Sequence, residues 1–198
     1  MTGATPPYTE QRFIEDIREA FAAGKDARVQ AQTIADRMRE LFATGWPETS
    51  ERFGKAAGSY TIHADADRGH PDPGFMVMVY RQGPQKAGVP SPHDHGTCFV
   101  VYGVAAGSNV QARYRWSYPE DTTQPPVLEE GPGGRPGPWG GRLLPPRRDP
   151  TAPQGSTTEA TVYVRVTSQN LDDVWRHRYH LGDNKSSVFR SATQMPKA

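Results

Sequence analysis

Two imidazoles one residue apart, His93 and His95 in the run Pro92-His93-Asp94-His95-Gly96, are the residues of this chain best spaced to do chemistry. On an extended strand, residues i and i+2 point to one face. His93 and His95 can therefore converge on one metal ion, with Asp94 pointing away; the alternative is that both are turn residues after Pro90 and Pro92 and hold no metal.

A second constellation lies near the C-terminus. His177 and Tyr179 alternate on an expected strand over residues 174–181 and share a face, opposite His180. The lone Cys98, three residues after His95, reads first as a small buried hydrophobe. His63, His70 and His180 read most simply as loop or surface histidines.

Two helices precede these residues. Phe13, Ile14, Ile17, Ala20 and Phe21 recur at helical spacing over residues 9–23, with Gly24 at the capping position. Ile34, Met38, Leu41 and Phe42 form the apolar stripe of a second helix over 26–44, ended by Gly45 and Trp46-Pro47. Both are expected to serve packing alone.

From Gly58 onward the texture becomes β. Short stretches rich in β-branched and aromatic residues, at 59–64, 74–81, 97–104 and 110–116, are separated by Gly, Pro and Asp clusters. Residues 160–167, 174–181 and 187–190 continue the series. Many short strands at this spacing argue for a sandwich or barrel.

Residues 119–157 interrupt the series with ten of the nineteen prolines and seven glycines. That composition predicts a long loop without ladder hydrogen bonds, either a lid or disordered. The length of 198 residues fits one domain spanning 1–198, with helices over 9–45 and a β-barrel over 58–191.

Composition narrows the partners. With 23 Lys and Arg against 22 Asp and Glu, no charge excess points to nucleic acid or an anionic membrane. The single cysteine excludes an intrachain disulfide, and no apolar run reaches the roughly 20 residues of a membrane span. Residues 1–8 lack the basic and apolar blocks of a signal peptide. The expectation is a cytoplasmic monomer or homodimer acting on a small molecule.

Tyr60-Thr61-Ile62-His63, residues 75–83, His93-Asp94-His95-Gly96-Thr97 and Gly103-Val104-Ala105-Ala106-Gly107 together resemble the cysteine dioxygenase family of cupins. The chain is most similar to the bacterial thiol dioxygenases that act on 3-mercaptopropionate or cysteine, over residues 9–181. The resemblance implies a mainly β, double-stranded β-helix (jelly-roll) barrel behind two N-terminal α-helices. It implies Fe(II) held by three histidines, with a substrate thiolate and dioxygen in the open positions and a sulfinate as product. His93 and His95 match two of those ligands. His177 and Tyr179 match two members of the family's supporting Ser-x-His-x-Tyr trio and would act catalytically, while Trp175 replaces the serine.

The departures from the family are as informative. The general cupin places a Glu where Val100 stands, and the family's later ligand histidine aligns with Val164, so no third histidine is expected. A two-histidine iron site, a third arm from Glu159 or Asp173, and a site that binds no metal all remain open. The family's carboxylate-binding arginine aligns with Ile62, leaving Arg81, Arg113 and Arg176 as substitutes, with Tyr60 and Cys98 as further substrate-binding residues. A Cys98–Tyr179 crosslink is a remote option. The leading expectation is an iron-dependent thiol dioxygenase-like oxidoreductase with altered chemistry. Its alternative is a metal-free cupin that binds a small molecule or catalyses an isomerisation or cyclisation.

Overall fold

The computed structural model describes residues 7–24, 26–64, 74–84, 92–109, 111–116, 128–134, 141–144, 151–153, 159–180 and 185–190. Two helices come first, α1 (Glu10–Ala22) and α2 (Ala27–Phe42). Thr9 caps α1 by accepting from the Arg12 N–H, and Asp26 caps α2 by accepting from the N–H groups of Arg28 and Val29 at 2.8 and 3.0 Å. Removing the second cap, Asp26→Ala, is expected to cost about 1 kcal/mol in chemical denaturation.

Five strands form one antiparallel sheet in the order β1-β2-β8-β3-β6: β1 (Gly58–Ala64), β2 (Met76–Gln82), β3 (Val100–Ala106), β6 (Gly141–Leu144) and β8 (Thr161–Thr167). A three-stranded sheet has β4 (Gln111–Trp116) between β5 (Leu128–Gly134) and β7 (Thr151–Pro153), and β9 (Arg176–His180) pairs with β10 (Lys185–Phe189). All pairings are antiparallel. The mainly β class with two N-terminal helices is as the sequence led one to expect.

The expected loop over 119–157 is corrected, because β5, β6 and β7 all fall inside it. Each of the three is an edge strand. An edge strand needs a ladder partner on one side only, so Pro132 and Pro153 can stand in strands without orphaning a central hydrogen bond. The intervening residues 117–127, 135–140, 145–150 and 154–158 lie outside the described part of the chain, as does His70.

Alternation along the central strands gives the large sheet two different faces. Val77 and Val79 of β2, Val101 of β3, and Val162, Val164 and Val166 of β8 pack with Phe13, Ile17, Ile34, Met38 and Leu41 of the helices. Gly103 lets α2 come down on β3, since a Cβ there would meet Met38 and Phe42. The opposite, inner face carries Tyr80, Cys98, Val100, Tyr102, Val104, Tyr163 and Leu171. The helices cover one face of the sheet, and the polar and aromatic cluster lies on the other.

Candidate functional site on the inner face

The histidine pair sits on a bridge and a turn rather than on a regular strand. His93 makes an isolated antiparallel bridge to Arg178, and His95 opens a turn whose carbonyl accepts from the Cys98 N–H at 3.1 Å. Gly96 makes that turn possible: its φ is +60°, and a Cβ would collide with the Trp175 carbonyl and Val174. The two rings nevertheless lie together, with centroids 5.3 Å apart.

Asp94 does point away from the pair, and its destination is specific. Its Oδ1 accepts from the backbone N–H groups of Gly96 (3.0 Å) and His177 (3.1 Å), and its Oδ2 accepts from the Tyr179 hydroxyl (2.8 Å). His177 Nδ1 lies 3.0 Å from the same Oδ2. Backbone bonds from Asp94 N–H to the His177 carbonyl and from Tyr179 N–H to the Pro92 carbonyl complete the splice. The structure thus engages His177 and Tyr179 through Asp94. Sequence reasoning gave that carboxylate no partner, although its position opposite the pair in a His-x-His motif was a usable signal. Tyr179 is buried, and burial followed by the Asp94 charge raises its pKa, so the hydroxyl stays a donor.

His95 is 4% exposed. Burial, then the neighbouring His93, Arg165 and Arg176, holds its pKa well below the ordinary histidine value, so the imidazole is neutral. Its Nε2 lies 3.4 Å from the Tyr102 hydroxyl, and the positive charge of Arg165 acts on that hydroxyl against the effect of burial. Sequence reasoning missed Arg165. Its alternation with Val164 and Val166 on a strand was the available signal.

Arg165 is mostly buried beside Met78 and over the Tyr80 ring, 5.0 Å from its centroid. Tyr80 stacks on Tyr163 at 4.8 Å, and Gln82 donates to the Tyr163 hydroxyl. Burial pushes the Tyr80 pKa up to about 12 and raises those of Tyr102 and Tyr163 as well. Arg176 is buried, donates to the Arg190 carbonyl at 3.0 Å and covers the Phe189 ring at 4.5 Å. Burial, then repulsion from Arg165, lowers its pKa. Cys98 lies on this face as well, a thiol kept protonated mainly by burial and contacted by the Ser168 hydroxyl.

Other expected residues are elsewhere. Tyr60 packs on the helix-side core against Phe53, with ring centroids 5.4 Å apart. Arg81 shares the strand parity of Val77 and Val79 and pairs with Glu48 at 3.6 Å, outside the inner-face cluster. His63 lies tilted against Phe75, and His180 lies near Ser187. Trp175, at the serine's place in the trio, is 59% exposed. Arg113 stands on β4.

The donor set does not fit the iron site that the family resemblance implies. Val164 is fully buried among the helix-side residues, on the face opposite His95, so no side chain at that position could reach the pair. Glu159 is exposed and Asp173 pairs with Arg190 at 3.2 Å. Among the described residues no group of three His, Cys, Asp or Glu is placed to hold a metal. Arg165 and Arg176 add positive charge beside His95, where a cation would have to sit.

No family model matches the sequence, and no curated protein matches it. Among solved structures, the chain is similar to an uncharacterized conserved protein with a double-stranded β-helix domain from Klebsiella pneumoniae, at 10% identity over 69% of this chain and 86% of that one, with a TM-score of 0.36. It is also similar to a sugar phosphate isomerase from a cupin superfamily from Silicibacter pomeroyi (13% identity, 70% and 84% covered, TM-score 0.40). KdgF from Halomonas sp. is similar at 15% identity, with 58% and 82% covered and a TM-score of 0.38. Among the described residues no helix is long and apolar enough to cross a membrane.

Proposed function

We propose that this chain is a metal-independent, cupin-like protein that holds a small molecule on the inner face of its large sheet and moves protons on it. The observation that carries this reading is the buried His95 imidazole, with its Nε2 3.4 Å from the buried Tyr102 hydroxyl. A neutral imidazole can accept a proton at Nε2, and a tyrosine hydroxyl backed by a guanidinium can donate to an oxygen that gains charge. Such a pair suits a proton shift between neighbouring carbon or oxygen atoms, an isomerisation or ring closure that needs no oxidant. His177, Asp94 and Tyr179 would fix the 92–96 turn and so the position of His95. Burial of the hydroxyls and the imidazole strengthens their dipoles toward a bound ligand.

The thiol dioxygenase reading keeps the His93/His95 pair but finds no third ligand for iron among the described residues. Loss of one of three protein ligands weakens metal affinity greatly. Protein purified without added metal, then titrated anaerobically with Fe(II), is expected to retain substoichiometric iron after desalting. Stoichiometric iron that is lost in His93→Ala, with oxygen consumed in the presence of 3-mercaptopropionate, would restore the oxygenase reading and end this one.

A further inference from the structure

We propose that the exposed face of the β9–β10 pair is an interface on which a second copy of this chain docks about a two-fold axis, with Trp175 at its centre. The inference goes beyond the small-molecule reading above and does not depend on it.

Val188 stands in register with His177, and Phe189 with Arg176. Paired residues share a face of a sheet, so the two strands sort their side chains into two sets. Arg176 and Phe189 form the buried set, the guanidinium 4.5 Å over the ring centroid. Trp175 continues the alternation one residue before β9, after an extended Val174, and so joins His177 and Val188 on the other face. There Trp175 is 59% and Val188 55% exposed, and His177 is half exposed. The one other large apolar side chain exposed among the described residues is Val29, on α2.

The charges around the tryptophan name the occupant. Arg190 lies 6.0 Å over the Trp175 ring and pairs with Asp173 at 3.2 Å, both charged side chains being nearly half exposed. One positive and one negative group thus flank the apolar centre, a neutral set that suits neither nucleic acid nor an anionic lipid surface. An isologous contact needs a patch complementary to itself. Turned about a two-fold axis beside Trp175, this one sets Arg190 of each copy against Asp173 of the other and lays each tryptophan on the other copy's Val188. Exposed ion pairs add little affinity and chiefly fix orientation, so the tryptophan carries the contact. Covering it removes roughly 150–250 Å² from water on each side, well short of the about 800 Å² per partner of a standard interface. The dimer is accordingly one that dissociates on dilution.

The test is sedimentation equilibrium of the full chain from about 5 to about 500 μM, where a weak dimer is expected to build up. Trp175→Ala is expected to weaken association at least about tenfold while its urea midpoint stays that of the parent, because an exposed side chain has been removed. Asp173→Arg and Arg190→Asp are each expected to be monomeric, since each sets like charges across the contact. Their equimolar mixture is expected to dimerise, because one copy of each restores opposite charges at both ends. A pair that acts only within one chain predicts no recovery on mixing. A parent that stays monomeric throughout, a Trp175→Ala variant that associates as tightly as the parent, charge variants that each dimerise as the parent does, or a mixture that remains monomeric overturns the interface.

Discussion

Asp94→Ala is expected to lower the free energy of unfolding by about 3–5 kcal/mol, measured as a fall in urea midpoint at unchanged slope. One side chain here ties the 92–96 turn to β9 by accepting from two backbone N–H groups and the Tyr179 hydroxyl, with His177 Nδ1 at hydrogen-bond distance. Removing it leaves buried donors without a partner, and the cost is the desolvation of each rather than the net worth of one bond. Asp94→Asn keeps one acceptor oxygen and turns an amide toward the other donors, so it should recover part of the loss. His177→Gln should cost far less, about 1 kcal/mol, because that side chain is half exposed and water can take over its bonds. A change below about 1 kcal/mol in Asp94→Ala would show that the carboxylate does not anchor the turn.

The contrast with Val164 shows where the sequence was legible and where it was not. Helical spacing in Phe13, Ile17, Ile34 and Met38 and the glycine at Gly24, whose φ is +62°, located both helices within a few residues. Strand periodicity located β1, β2, β8 and β9 equally well, because burial on one face leaves a period of two in the residue types. Motif spacing was a weaker guide. It set Val164 in a ligand position, but the same alternation that marks β8 as a strand puts Val162, Val164 and Val166 on one face and Tyr163 and Arg165 on the other. Parity, applied to β8 as it was to the His-x-His pair, would have picked Arg165. The Pro/Gly segment misled for a different reason: composition excludes central strands, not edges, and which strands are edges is decided by distant pairings such as Val101 with Leu143.

Parity also explains how one sheet serves two purposes. On the helix side the alternate positions are Val almost throughout, and they hold α1 and α2. On the inner side the same strands carry Tyr80, Tyr102, Tyr163 and Arg165, residues a passive core would not select. Such polar positions cost stability unless something completes them.

Stability is expected to fall as pH drops below about 6.5, and His95 is the reason. In the unfolded chain its imidazole titrates near the ordinary value of about 6.5. In the folded chain burial, His93 and the two guanidiniums hold it well below that value. Between the two values the unfolded state binds one more proton, so stability is full above the unfolded pKa and is lost as pH falls toward the folded one. The slope is at most about 1.4 kcal/mol per pH unit for one proton. Urea melts at several pH values between 7.5 and 5 measure it directly, and His95→Gln, which cannot charge but can still face the Tyr102 hydroxyl, should flatten that part of the profile. An unchanged slope in His95→Gln would place the proton uptake on another group.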